Sequence, residues 1–367
     1  MRGRLEGLLT DLMMIPGLAG HEGRVRRYLK VALAGFGITA RTDRLGNLVA
    51  TLPDEEGGPS VMLVAHMDQL GMVVRRIEPE GFLRVERVGG VPERALPGQE
   101  VLLMVAEGED VPGVIAHRSH HATPPEARYR VAPLQELFVD AGFGSATEAR
   151  AAGVQIGTPV VYAPNVVRLG EHRIAGTSVD DRAACAVALE IARALRNGAP
   201  HPTVHLCFSV QEEFNLRGAL PVAQALKPDI CLQLDLTVAS DSPDMAGEGE
   251  VGLGAGPAIS LLSFHGRGTL NGLIPHPALV ELFEETARLE GIPLQRSAFV
   301  GALTETAYIQ LVGEGVACLD LGFPCRYTHS PVETCDVGDL EGLARLVIAA
   351  LGRIGPNFSL DRNGFPQ

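Results

Sequence analysis

Two histidines and a set of carboxylates recur where apolar runs of this chain end. VMLVA leads into His66 and Asp68, TVHLCFSVQ into Glu212 and Glu213, ICLQL into Asp235, and VACLDLGFPCRYT into His329; Asp180 and Asp181 stand just before an Ala-rich stretch. Taken singly, each has an ordinary structural explanation. Asp180 and Asp181 could cap the helix that follows, and Glu212 and Glu213 could favour the first turn of another. His66 or His329 alone would suit a hydrogen-bonded structural histidine. As a set they suit one chemistry. Histidine with carboxylates and no cysteine favours Zn²⁺, Co²⁺ or Mn²⁺ in a catalytic rather than a structural site. Two such cations side by side need a bridging carboxylate, and a further Glu that is not a ligand can take a proton from water. In His66-Met67-Asp68, Asp68 can accept a hydrogen bond from the far imidazole nitrogen and fix the tautomer.

The elements that must position these residues are strands covered on both faces. Residues 61–65, 203–210, 230–236 and 316–322 are near-continuous apolar runs, alternating with helix-like stretches at 182–196, 216–226, 277–290 and 340–351. That alternation predicts an α/β fold, a mixed sheet with helices on both faces, whose ligands bind beyond the carboxyl ends of the strands. Residues 71–166 differ: short alternating segments broken by Gly and Pro, with one helix-like piece at 146–152, predict an inserted β-barrel-like domain. The expected division is residues 1–70 with 167–367 as one discontinuous α/β domain, and 71–166 as the insert. The tail after Pro356 reads as irregular.

Composition narrows the function. The 367 residues carry 31 basic and 44 acidic side chains, a net charge of −13, which argues against a nucleic-acid or basic membrane surface. No apolar run approaches the roughly 18–20 residues of a membrane helix. The N-terminal stretch, with Glu6 and Asp11 inside its apolar pattern, predicts an amphipathic helix rather than a signal peptide. Six scattered cysteines without a CxxC pair predict reduced, buried thiols and a cytoplasmic protein.

The motifs MMIPGLAGHEGRVRRYL, VAHMDQLGMVV, GVPERALPGQEV, LFVDAGFGS, GTSVDDRAACAVALE, SVQEEFNLRGA, DLTVASDSP, GLGAGPAI and RYTHSPVE, in this order and spacing, resemble the tetrahedral (TET) aminopeptidases. These are the glutamyl and leucyl aminopeptidases of the co-catalytic zinc peptidases, sometimes labelled endoglucanases. The resemblance implies a zinc-exopeptidase-like fold and two divalent metal ions, Zn or Co, with Mn as a third option. One would be held by His66, Asp180 and Asp235, the other by Asp180, Glu213 and His329, with Asp180 bridging. It implies Glu212 as general base and then acid, and Asp68 as the residue orienting His66. The expected substrates are short peptides, the expected partner further copies of the chain, a homo-oligomer (a dodecamer in the family) built partly through the insert.

The chain departs from the pattern at Asn215, where a Gly is usual, at Ala255, where Lys is common, and at Glu305, where Asp is typical and the substrate pocket could change. The loop carrying His117, His120 and His121 reads as solvated rather than as a third metal site. An amidohydrolase or deacylase could use the same ligands on a non-peptide amide. A glycoside hydrolase would need two carboxyls and no metal, and the absence of Trp, with only five Tyr, gives little stacking surface for sugars. A non-catalytic assembly protein could keep the fold, but the full set of expected ligands and Glu212 is present.

Overall fold

Period-two alternation decides which side chains reach the functional face. In the computed structural model, which describes residues 1–54, 57–265 and 272–364, four parallel strands form the centre of the larger sheet: Val204–Ser209, Val61–His66, Ile230–Val238 and Ala317–Arg326. Val61, Leu63 and Ala65 pack into one core, with Ile230, Leu232 and Leu234 of the neighbouring strand. Met62, Val64 and Cys231 pack into a second core on the opposite face. Successive side chains alternate across a sheet, so His66 and Asp235 emerge on that second face, at the carboxyl ends of adjacent strands.

Antiparallel strands extend the sheet on both sides, giving twelve strands among the described residues. Leu48–Leu52 and Ala40–Thr42 continue from Val204–Ser209; Glu333–Asp336, Arg173–Gly176 and Val166–Leu169 continue from Ala317–Arg326. Ala258–Phe264 branches from Ala317–Arg326 and pairs with Gly272–Leu273 and Gln295–Val300. The sheet is therefore mixed, and helices cover both faces. Helix Val179–Arg196 lies against the centre and beneath helices Arg2–Met13 and Val337–Leu351. Its Ala183, Ala184, Ala186 and Ala188 are buried; small side chains with full helix propensity let sheet and helices approach closely. Leu5, Leu9 and Leu12 of Arg2–Met13 close that core, each burial stabilising by about 1.5–3 kcal/mol. Ala219, Val222 and Ala223 of helix Ala219–Leu226 cover the opposite face.

Helix boundaries follow local chemistry. Helix Pro277–Glu290 runs as its periodicity predicts. The last long helix begins at Val337 rather than 340, because Asp336 caps it by accepting the Gly338 N–H at 2.8 Å. The expected helix at 216–226 starts only at Ala219: Asn215 and Leu216 adopt positive φ, 71° and 54°. Helix Gly23–Gly35 is not evident from the sequence; no side chain caps its start. The tail holds one short turn, Arg362–Gly364, and its last three residues lie outside the described ones.

Directly after Val61–His66 the chain leaves the sheet and forms a closed barrel of Gly71–Ile77, Leu83–Val88, Phe138–Asp140, Val111–Ala116, Glu100–Leu103 and Pro159–Tyr162. The barrel has its own core around Val74, Leu83, Leu103, Val139 and Val160. Helix Ala146–Ala151 packs there, capped by Ser145, which accepts the Glu148 N–H. His117, His120 and His121 are all exposed.

The loop bearing Glu212 and Glu213 is pinched shut at its base. Asn47, fully buried, accepts the Val210 N–H at 3.0 Å through Oδ1 and donates through Nδ2 to the Gly218 carbonyl at 2.9 Å. A Cβ on Gly218 would lie 1.8 Å from the Val210 carbonyl oxygen, an atom of backbone that cannot swing away. Gly218→Ala is expected to lower stability by about 1–3 kcal/mol, read as a lower denaturant midpoint at unchanged m-value. An unshifted midpoint would mean that the two loop ends separate freely.

Candidate metal centre

Six side chains from separate parts of the chain meet above the strand ends. His66 Nε2 lies 3.0 Å from Asp180 Oδ1 and 3.8 Å from Glu212 Oε2. His329 Nε2 lies 3.6 Å from Asp180 Oδ2 and 3.7 Å from Glu213 Oε2. Two groups offer ligand atoms within 4.8 Å of one another: His66, Asp180 and Asp235, and Asp180, Glu213 and His329. Asp180 belongs to both. Neither group includes His117, His120 or His121.

Each donor is held by its backbone or by a neighbour. His66 donates its N–H to Asp181 Oδ2 at 3.1 Å, and its Nδ1 lies 3.1 Å from the main-chain carbonyl of Asp68. The Asp68 carboxylate is farther, 3.6 Å from that nitrogen, beyond hydrogen-bond range. It faces the other way: Oδ1 accepts the Glu212 N–H and Oδ2 the Glu213 N–H, both at 3.0 Å. Asp68 thus stands beside His66 as the sequence suggests, but its carbonyl makes the imidazole contact while its carboxylate fixes the acidic loop. Glu22 accepts the N–H of Gln211 at 3.2 Å, so three successive amides of that loop point at carboxylates. Arg182, fully buried beside Gln69, brings a positive charge to this layer; burial pulls it down to about 10 against the opposing pull of Cys185, Asp68 and Glu22.

Sequence reasoning gave no role to Glu333 or Gly90, and both serve the centre. Glu333 accepts the Asp180 N–H through Oε2 at 3.0 Å and the His329 N–H through Oε1 at 2.8 Å. One carboxylate therefore ties together two donors 149 residues apart, from Asp180 to His329. The Gly90 carbonyl lies 3.0 Å from His329 Nδ1, and a Cβ on Gly90 would sit 2.7 Å from that nitrogen. Only glycine allows this approach. Backbone strain gathers at the same place: Ser178, Gln211, Asn215, Tyr327 and His329 all have positive φ. Asn215, one of the departures from the resembled pattern, adopts the left-handed conformation that Asn tolerates among non-glycine residues. Glu305 lies outside the cavity lining; buried, it accepts from Ser209 Oγ and the Ala219 N–H, both at 2.5 Å, and is pushed up to about 7 by burial.

Electrostatics make the site short of positive charge. Burial, reinforced by neighbouring carboxylates, pushes Glu212, Asp235, Asp181 and Glu333 well above the usual carboxylate range. Burial and the charge of Asp180 lift Glu213 to about 7. Burial acts on Asp180 too, yet the hydrogen bond and charge of His66 hold it below its ordinary value. Burial disfavours charge on His66 and His329, but the surrounding carboxylates outweigh it and raise both. Crowded carboxylates of this kind suit the binding of cations. Glu213 Oε1 is buried without a hydrogen-bond partner, and every donor is a carboxylate oxygen or an imidazole nitrogen, a set that fits borderline divalent metals. The donors open onto a cavity of about 710 Å³.

The model of the family described as M42 glutamyl aminopeptidase matches residues 46–346. The chain is 33% identical over 353 residues to the lysyl aminopeptidase of Pyrococcus furiosus, covering 95% of this chain and 97% of that one. Its structure is similar to aminopeptidase APDkam598 from the archaeon Desulfurococcus kamchatkensis, with a TM-score of 0.91, 34% identity and 97% of each chain covered. It is similar also to the Pyrococcus horikoshii TET1 peptidase, which can assemble into a tetrahedron or a large octahedral shell, with a TM-score of 0.82, 29% identity, and 95% of this chain and 99% of that one covered. Motifs, fold and family model agree: the chain belongs to the M42 glutamyl aminopeptidase family of peptide hydrolases.

Proposed function

We propose that the chain is a co-catalytic di-metal aminopeptidase that removes N-terminal residues from short peptides. The observation carrying this reading is that two groups of three donors share Asp180 while the non-donor Glu212 faces the same cavity. His66, Asp180 and Asp235 would hold one cation, and Asp180, Glu213 and His329 the other. Such a pair, when bound, supplies Lewis acidity for the scissile carbonyl and lowers the pKa of water. Glu212 accepts a proton from the attacking water and returns it to the departing amine. Its low-dielectric surroundings favour holding that proton between the two steps, and Asp68, through the loop amides, keeps its carboxylate in place. The surplus of carboxylates attracts the free α-ammonium of the substrate, which distinguishes an aminopeptidase from an endopeptidase.

The same reading assigns residues 1–70 and 167–367 to catalysis and the 71–166 insert to assembly, with the chain working as a homo-oligomer, a dodecamer by analogy with its family. All six cysteines are free and buried, which supports a cytoplasmic setting; among the described residues no helix is long and apolar enough to cross a membrane.

Glu212→Gln is expected to reduce kcat by about 10²–10⁴-fold with metal content unchanged; near-normal turnover would remove Glu212 from its role. His329→Ala should lower the metal bound per subunit, measured by elemental analysis, and full occupancy would reassign that ligand. Glu333→Ala strands the buried amide of Asp180, at a cost of about 1–3 kcal/mol, and frees the part-buried amide of His329; the variant should melt earlier and retain less metal, whereas wild-type metal retention would show that Asp180 and His329 are positioned without it.

A further inference from the structure

We propose that Asp320 forms the floor of the pocket receiving the substrate's first side chain, and that it selects peptides beginning with lysine or arginine over those beginning with an acidic residue. This rests on the aminopeptidase reading above and goes beyond it by naming the substrate class.

The placement follows from strand register. Leu319 and Leu321 pack into the main core, and Cys318 into the core of the opposite face. Asp320 therefore shares its face with Cys318 and Gly322. Gly322 is in register with Asp235, so Asp320 lies two residues back along the adjacent strand. At about 3.3 Å per residue, that is about 6.6 Å deeper than the level of the metal donors. Only a long side chain of a residue anchored at the centre reaches this depth.

The chemistry follows from what Asp320 lacks. It is 6% exposed and lines the same cavity as His66, Asp180 and His329. Its Oδ1 accepts the Thr306 hydroxyl at 2.6 Å, while Oδ2 is buried with no hydrogen-bond partner. The amide of Gln233, its in-register neighbour, makes no bond to it. An unpaired buried carboxylate oxygen is costly, and a cationic group reaching it supplies the missing partner. Burial pushes the acid up to about 6, against the pull of the nearby Thr306 and Thr304 hydroxyls, of which only Thr306 makes a hydrogen bond to it; a cation at Oδ2 would favour the ionised form. Phe299 and Leu303, also in the lining, suit the aliphatic stem of lysine or arginine. Among the described lining residues there is no Lys or Arg to receive an acidic side chain, which would instead bring a second carboxylate against Asp320 at low dielectric.

The test is kcat/KM of the metal-loaded full-length protein on the p-nitroanilides of Lys, Arg, Leu and Glu, with L-lysine and L-glutamate as product inhibitors. Lys and Arg should exceed Leu by about tenfold or more and Glu by about a hundredfold or more, and L-lysine should inhibit at lower concentration than L-glutamate. Asp320→Asn should cut the Lys-to-Leu ratio about tenfold, and Asp320→Leu should invert it. Preference for Leu or Glu in the unmodified enzyme, or a ratio unmoved by Asp320→Asn, would overturn the assignment while leaving the peptidase reading standing. Failure to hydrolyse any of the four with Zn²⁺, Co²⁺ or Mn²⁺ would overturn both. Should the variants not fold, the order of product inhibition in the unmodified enzyme decides.

Discussion

Everything at this centre is arranged around the carboxylate of Asp180, whose two oxygens face two imidazoles arriving from opposite ends of the chain. An acid so placed has to remain ionised, although burial opposes ionisation. His66 achieves this by direct hydrogen bonding, and the Thr328 hydroxyl adds a second donor at 3.2 Å. For the neighbouring acids burial outweighs the amides and imidazoles that favour ionisation and drives them toward their protonated forms. The result is a ring in which one member keeps its charge and the others compete for protons, a balance that divalent cations would reset by displacing those protons.

Holding this ring together falls to backbone amides more than to side-chain packing. Asp68, Glu22 and Glu333 each accept from main-chain N–H groups of the donor-bearing loops. Carboxylate-to-amide bonds fix loops whose residues adopt left-handed conformations, where a strand or helix could not continue. Among the described non-glycine residues, six of the seven with positive φ lie at or flank the donors, and Lys227 is the exception. Strain is therefore concentrated where geometry matters, and the parallel strands behind it stay regular.

Much of this was legible in the sequence. Apolar runs ending in His66, Asp235 or the Glu212–Glu213 pair announce buried strands and donors in one phrase, and the Gly- and Pro-broken segments announce the barrel. Glu333 was not legible, because nothing local marks a Glu whose partners are amides 153 and four residues away. Gly90 was hidden for a similar reason: its contribution is a carbonyl, which every residue has, and only the crowding at His329 makes glycine necessary. Asp68 was half legible, since adjacency to His66 is visible in sequence but the choice between carbonyl and carboxylate depends on where the 211–213 amides lie. Helix Gly23–Gly35 lacks a cap, and Glu22 turns its carboxyl to the Gly20 and Gln211 amides instead.

The contact between Gly90 and His329 also bears on how such a chain could be remodelled. The glycine follows the second barrel strand, so the barrel-forming segment reaches into the centre and braces one of its imidazoles. A shortened chain joining the two halves of the large sheet directly would keep all six side chains of the candidate centre above the strands yet lose that brace. The excursion out of the sheet is thus no detachable ornament: its length and its sequence are free to drift only so far as one carbonyl oxygen stays where the histidine needs it.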